Sequence, residues 1–564
     1  MGIDAGLTAS APTSLFELRR GLTYGRIWWV ALESLAMSLS RPRVRVDVAL
    51  ILILLFGTLL RLQYVQLPMA EAHRWRAVTN ADVARNFAER SMNIFYPQVN
   101  WGGADAPYVG MEFPLMQWIV ALGYLIFGEH EILGRLVSIA FSVGTIWAVF
   151  ALGTRLFGVA VGRAAAFLMA VSPTAVFFGR ILISDTPMLF FSVVAVLAWV
   201  VYLETGATRA AVAGATAAAL AFLVKIPAVM ILAPIGWAAW EARRWSALKD
   251  RRLMLGLAGA LAVAVAWYWH ADLIFHRSGL GQAIWHPSGT YALPIAISAG
   301  PFDGVYHWST LKVLRDPSFY YEMVSRTWVL HLTPAGLILS LFALLAMWHV
   351  PRRHIADVWL GTVVLFILVA AEGNRNHEFH QLPLLPPAAL LFGLAAAPAF
   401  DGTWLRTTGR YRLRILGAGV AIVLAGWLSF HRSGVIPGFF RPDSLDDGQI
   451  RSGRAIERAV EPGALIVTVE YDKFGSNSPI LLYWAHRRGW SFDFGAITPF
   501  VVERLRTGFG AGYFATTVWP DLAKTHPVLA DYLRTRRQIP LMDAPRDTAL
   551  FDLTTAADTP GHPD

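Results

Sequence analysis

Long apolar stretches alternate with short polar ones over most of the chain, near 48–65, 134–156, 161–178, 186–203, 209–224, 226–240, 253–270, 328–349, 356–371, 383–400 and 412–430. Runs of about 17 to 25 such residues cross a bilayer as helices, because a backbone in lipid must satisfy its hydrogen bonds within its own segment. The pattern predicts an α-helical polytopic membrane protein with about 11 transmembrane helices. Residues 113–128 (FPLMQWIVALGYLIFG) are apolar but brief, and are expected to lie along the interface. A polar segment around 75–87 also reads as a helix, so the first outer loop, 66–133, is expected to carry juxtamembrane helices.

After about residue 431 the rhythm changes. ALIVTV (464–469), AGYFATT (511–517) and TALFDL (548–553) read as strands, while 478–488 and 521–537 read as helices. Strands alternating with helices predict a small C-terminal α/β domain. It has no glycine-rich phosphate loop, so it is not read as nucleotide-binding. Three regions follow: a cytoplasmic arm at 1–47, a membrane domain at 48–430 and an extracytoplasmic domain at 431–564. Within the arm, GRIWWVALESLAMSL could lie on the membrane as an amphipathic helix, and the last ten residues are expected to be disordered.

Composition agrees with the membrane reading: 55% of the 564 residues are apolar and only 15% charged. Arginines then set the orientation. Arg19, Arg20, Arg26, Arg41, Arg43 and Arg45 precede the first run and belong on the cytoplasmic side. Alternation puts Arg155, Arg163, Arg243 through Arg252, Arg352, Arg353 and Arg406 through Arg414 on that side as well. The net charge of +9 is thereby explained by topology, and no nucleic acid partner is expected. The absence of cysteine excludes disulfides and thiolate chemistry. The first apolar run lacks the features of a removable signal, so it is expected to be retained in the cytoplasmic membrane.

The stretch from His73 to Pro114 is polar and aromatic, directly after the first span. On a helix through it, Arg76, Thr79, Asp82 and Asn86 recur at spacings of three and four and share one face. A carboxylate flanked by Arg76 and Arg85 should stay ionised, as a general base requires. The plainer reading is a solvated acid on an interfacial helix, and Glu71, Asp105 and Glu112 compete for the same role.

Three more clusters fall on the same outer side. Arg180 and Asp185 stand in FFGRILISDTPMLFF, either as a local ion pair or as functional charges at the membrane. Lys225 in FLVKIPA either snorkels or meets a phosphate. EGNRNHEFHQLPLLPP carries Arg375, His377, His380 and Gln381. The two histidines lack a third ligand nearby, so anion recognition is favoured over metal binding. Arg76, Arg85, Arg180, Lys225 and Arg375 beside carboxylates suit a lipid-borne phosphate leaving group, with a carboxylate activating an incoming hydroxyl.

These segments resemble the C-type integral-membrane (GT-C) glycosyltransferases, in particular the bacterial relatives of protein O-mannosyltransferases and the lipid A aminoarabinose transferase. The resemblance rests on WRAVTNADVARNF, NIFYP, MEFPL, LGRLVSIAFSVGTIWAVFALGTRLFG, RILISDTPMLFF, LVKIPA, HEFHQLPLLPP and LLYWAHRRGWSF, and covers roughly 48–490. It implies the GT-C fold and transfer of a sugar from a polyprenyl-phosphate donor to a glycan, lipid or protein acceptor on the outer face. It also implies a catalytic carboxylate in the first outer loop and no cofactor; no motif indicates a divalent cation. Many similar sequences read like WRQADTAAIARNF, and their aspartate falls on Thr79 here. The resemblance therefore moves the base to Asp82, one helical turn later, with Glu112 second. Glu112 also stands where the aminoarabinose transferases have a lysine. A flippase for lipid-linked glycans and a catalytically altered relative are the alternatives.

Overall fold

The computed structural model describes residues 47–103, 107–278, 280, 311–345, 353–401, 438–439, 447–470, 478–492 and 497–556. The amphipathic stretch of the arm, the span expected at 412–430, Asp105 and the chain from 557 onward lie outside them. Two compact units are delimited, Met1–Ile51 and Leu52–Asp564. The first is described only over 47–51, where the Leu50 N–H donates to the Asp47 carboxylate at 3.0 Å.

The helices run in chain order as α1 (Val48–Leu62), α2 (Arg74–Glu89), α3 (Leu115–Phe127), α4 (Glu131–Phe157), α5 (Val159–Val171), α6 (Pro173–Phe178), α7 (Asp185–Thr205) and α8 (Thr208–Val224). A 3-10 stretch, Ile226–Ile231, leads into α9 (Leu232–Arg243); a second, Arg244–Lys249, leads into α10 (Arg251–Ser278). Then come α11 (Pro317–Arg326), α12 (Thr333–Leu345), α13 (Ile355–Val369), α14 (Ala371–Asn376), a 3-10 stretch Glu378–Leu384, and α15 (Leu385–Phe400).

Among the described residues four helices are long and apolar enough to cross a membrane, or five if the bent pair Pro317–His331 and Thr333–Leu345 counts as one. The count of about 11 is therefore not reproduced. Part of the difference is length, since Val48–Leu62, Val159–Val171, Thr208–Val224 and Ile355–Val369 are apolar but shorter, and part lies in breaks that apolarity alone does not reveal. Pro173 divides the run expected at 161–178 into α5 and α6. The run expected at 226–240 begins as a 3-10 turn. The pair near 331 bends by 108°. At that elbow Thr333 has a φ of 62°, which strains a β-branched residue. The buried His331 ring is held by Thr174 (3.0 Å) and Gln381 (2.8 Å), which ties the elbow to its neighbours. Helices α4, α5, α7, α8, α10, α12 and α15 pack into one apolar bundle. Its buried charges are tied down: Arg61, fully buried in α1, donates to Ser142 and to the carbonyls of Gly57, Met169 and Ala170.

The C-terminal segment forms α16 (Gly448–Ala459), β1 (Leu465–Val469), α17 (Ile480–Trp484), β2 (Arg488–Phe492), α18 (Pro499–Phe509), β3 (Tyr513–Thr516), α19 (Trp519–Thr525), α20 (Pro527–Arg534), β4 (Arg536–Ile539) and β5 (Ala549–Ala556). The sheet order is β2-β1-β3-β5-β4, with β1 parallel to both neighbours and β5 antiparallel to both of its own. The helix expected at 478–488 stops early, because His486 turns left-handed (φ 47°) and the chain enters β2. The helix expected at 521–537 is two helices, restarted at Pro527, and its end is recruited into β4.

Candidate functional site

Helix α2 carries Arg76, Asp82 and Arg85 of the first loop, and its two sides serve different neighbours. Arg76 and Asp82 are six residues apart, which on an ideal helix separates them by about 120°. The single face expected from three-and-four spacing is thus split between two environments.

On one side stand His73 and Arg76. His73, with a φ of 60°, sits just before the helix and its Nε2 lies 2.8 Å from a Glu378 carboxylate oxygen. Its ring touches Phe178, His377 and Phe379. His377 stacks on Phe379, with His380 5.4 Å away edge-on. Lys225 reaches over the same Phe379 ring at 5.0 Å and forms a 2.6 Å ion pair with Asp185. Burial, with the charges of Arg76, His73 and Lys225, holds the His377 imidazole down at about 3, so it is neutral at physiological pH. Arg76 lies 4.9 Å from the Trp75 ring, and among the described residues no ion pair neutralises it. The buried Nδ1 of His377 also lacks a hydrogen-bond partner among the described residues. Arg76, Asp185, Lys225, His377 and His380, from four distant segments, are therefore gathered around one point with unspent hydrogen-bonding and charge.

Glu112 belongs to the extended segment beside this cluster. The next residue, Phe113, donates its N–H to the Leu223 carbonyl at 3.0 Å, two residues before Lys225. The Glu112 carboxylate is buried, acts electrostatically on Tyr268, and is committed to no hydrogen bond or ion pair among the described residues.

On the other side of α2 most polar groups are engaged in structure, although the buried Oδ1 atoms of Asp82 and Asn86 lack a hydrogen-bond partner among the described residues. The Asn100 N–H donates to Asp82 Oδ2 at 2.7 Å, deep in the core. Burial outweighs the nearby Arg85, Arg90 and the Asn100 N–H, and pushes the Asp82 carboxyl up to about 7. The flanking arginines do not hold this carboxyl ionised as expected, because Asp82 is fully buried; its Oδ2 holds a loop, and its Oδ1 has no hydrogen-bond partner among the described residues. Arg85 grips Glu129 at 2.6 Å, donates to the Tyr483 carbonyl at 2.8 Å and stacks over that tyrosine at 3.8 Å. The loop held by Asp82 continues onto the edge of β2: Gly489 N–H donates to the Asn100 carbonyl, and Gly103 N–H to the Gly489 carbonyl. Both glycines are required. A Cβ on Gly489 would lie 1.8 Å from the Ile466 carbonyl oxygen, and Gly103, with a φ of 100°, lies flat on Trp490.

Two other expected phosphate contacts are also engaged elsewhere. Arg180 does not pair with Asp185; it binds Glu71 at 2.6 Å and the Tyr64 carbonyl at 2.9 Å. Glu71 also accepts from Arg135 at 2.8 Å, a buried triad that clamps the chain after α1. Arg375 is paired at the surface with Asp316 (2.8 Å) and Glu322 (3.4 Å). Its hydrogen bond, with those of Ser318, holds the Asp316 carboxyl down at about 2. Sequence reasoning passed over His73 and Glu378 as site residues; Glu378 was visible inside HEFH, whereas nothing in the pattern marked His73. Among the described residues no three His, Asp or Glu side chains are gathered closely enough to hold a metal ion.

This architecture has known counterparts. The crystal structure of ArnT from Cupriavidus metallidurans bound to undecaprenyl phosphate matches 89% of this chain and 97% of its own, with a TM-score of 0.58 at 14% identity. AglB, an oligosaccharyltransferase from Archaeoglobus fulgidus in complex with an inhibitory peptide and a dolichol-phosphate, matches 89% of this chain and 75% of its own, with a TM-score of 0.54 at 13% identity. The chain has the GT-C fold. Residues 105–269 also match the family model for dolichyl-phosphate-mannose-protein mannosyltransferase. No curated protein sequence matches. The GT-C fold and its apolar helices make this a multi-pass membrane protein.

Proposed function

We propose that this protein is a glycosyltransferase of the cytoplasmic membrane that moves a sugar from a polyprenyl-phosphate donor to an acceptor hydroxyl on the outer face. The observation that carries the reading is the cluster of Arg76, Lys225, His377 and His380 around one point, with the uncommitted carboxylate of Glu112 on the adjoining segment. The undecaprenyl phosphate of ArnT and the dolichol-phosphate of AglB support a lipid-phosphate ligand in this fold.

In the reaction the acceptor oxygen forms a bond to the anomeric carbon while the bond from that carbon to the phosphate oxygen breaks. The acceptor proton passes to Glu112, and the polyprenyl phosphate leaves with the bonding electrons. Arg76 and Lys225 stabilise the charge that grows on the phosphate, an effect that strengthens as the site excludes water. Asp185 fixes the Lys225 ammonium, and His73 with Glu378 positions the rings of His377 and Phe379. Arg85, Arg180 and Arg375 are assigned no part in this step, because their ion pairs hold them to Glu129, Glu71 and Asp316, and Asp82 is assigned none because its Oδ2 holds the 98–103 loop.

The test is transfer from a panel of synthetic polyprenyl-phosphate hexoses and pentoses to envelope extract by the purified full-length protein. Consumption of one donor with release of polyprenyl phosphate is expected, and its loss in Glu112→Gln and Arg76→Ala. Lipid movement across liposomes with no donor consumed would instead favour a flippase and reject the reading.

A further inference from the structure

At the start of α10, about 25 Å along that helix from Tyr268 beside Glu112, lies an open, polar surface pocket of about 420 Å³. Arg243, Lys249, Arg251 and Arg252 line it against a single carboxylate, Asp250. That carboxylate is fully occupied. It accepts from the Tyr202 hydroxyl at 2.8 and 2.9 Å, from the N–H groups of Arg252 and Leu253, and from Arg243. Lys249 and Arg251 are exposed, and among the described residues neither has an ion-pair partner. The pocket thus carries uncompensated positive charge.

What surrounds it is apolar. Trp245 and Leu248 project into solvent from the 3-10 turn before α10, and Trp245 packs edge-on against Trp240 at 4.8 Å. On α10 itself Leu255, Val265, Trp269 and Leu273 are exposed on one side, a stripe that runs directly away from the pocket. Among the described residues α10 is one of the helices long and apolar enough to span a bilayer, and in that placement the stripe would face acyl chains and the pocket would lie at headgroup level. Aromatic side chains at this depth anchor a helix, and basic ones attract anionic lipid.

We propose that this pocket binds the phosphate headgroup of an anionic phospholipid whose acyl chains lie along the exposed stripe of α10. The distance from the candidate site separates this lipid from the sugar donor. Its function is to hold α9 and α10 at their membrane depth.

Native mass spectrometry of the full-length protein in non-ionic detergent tests the proposal, with phosphatidylglycerol, phosphatidylcholine and soluble glycerol 3-phosphate as separate ligands. Wild type is expected to retain phosphatidylglycerol at about tenfold lower concentration than phosphatidylcholine. The double variant Lys249→Glu, Arg251→Glu should lose that preference without a change in thermal midpoint, since both side chains are exposed. Trp245→Ser with Leu255→Ser should weaken both lipids while keeping the preference. Equal retention of the two lipids by wild type would overturn the proposal, as would an unchanged preference in the charge variant. Glycerol phosphate binding as tightly as the lipid would make the pocket a site for a free anion and would also overturn it.

Discussion

The two sides of α2 carry similar residue types and do opposite things. Around Asp82 and Arg85 most hydrogen bonds close onto structure: Asn100, Glu129 and the Tyr483 carbonyl take them up, leaving the Oδ1 atoms of Asp82 and Asn86 unpartnered among the described residues. Around His73 and Arg76 they do not. Arg76 and the Nδ1 of His377 are left with capacity to spare among the described residues. A guanidinium whose donors are taken up by the fold, as in Arg85, is a poor candidate for chemistry, because recruiting it would uncover buried partners, whereas Lys225 uses one of its three ammonium donors on Asp185. An unengaged charge beside neutral rings is ready for a ligand.

The comparison breaks most visibly in activity. Arg76→Ala removes a cation that structure does not use, so transfer should fall by about 10²-fold or more with little change in thermal midpoint. An inactive Arg76→Ala protein that had also lost its folded state would blur the distinction. On the other side, Gly489→Ala drives a Cβ into the Ile466 carbonyl. The expected result is destabilisation by several kcal/mol and early proteolysis at the joint between the 98–103 loop and β2.

Arg85→Met leaves Glu129 and the Tyr483 carbonyl without their donor, at a cost of about 1–3 kcal/mol read as a lowered denaturation midpoint. A midpoint equal to wild type would show that Arg85 is idle. Asp82→Asn gives a pH signature. The folded-state value of about 7 lies above the ordinary aspartate value, so this group's contribution to stability is present in acid and is lost as pH rises from about 4 through 7. The stability difference between Asp82→Asn and wild type should therefore shift in favour of the variant across that window, and a flat difference would contradict the buried placement. The smallest effect is expected for Arg375→Ala. Its partners Asp316 and Glu322 are half-exposed, and transfer should change by less than about twofold.

The sequence exposed what depends on local pattern. Apolar runs located most of the helices within a few residues, as at α7 and α8, and short apolar runs located β1, β3 and β5. What it hid depends on distant partners. Arg180 and Asp185 are five residues apart and look like a pair, yet one finds Glu71 and the other Lys225. The Arg85 contact to Tyr483 spans 398 positions, and no spacing rule reaches that far. The strand β2 has no counterpart in the sequence reading, beyond Arg488 at the end of the expected helix, because its pairing with β1 is set by the fold. Of the four acids weighed for the base, Glu71 is held by Arg135 and Arg180, Asp105 lies outside the described residues, and Asp82, placed first by its flanking arginines, is buried against the Asn100 N–H, which leaves Glu112 as the proposed base.

The decisive measurement is single-turnover transfer by Glu112→Gln and Asp82→Asn side by side, each with its thermal midpoint. Glu112→Gln is expected to be folded and inactive, and Asp82→Asn to transfer at close to the wild-type rate. A folded, inactive Asp82→Asn beside an active Glu112→Gln would contradict the assignment of chemistry to the Arg76 side of the helix.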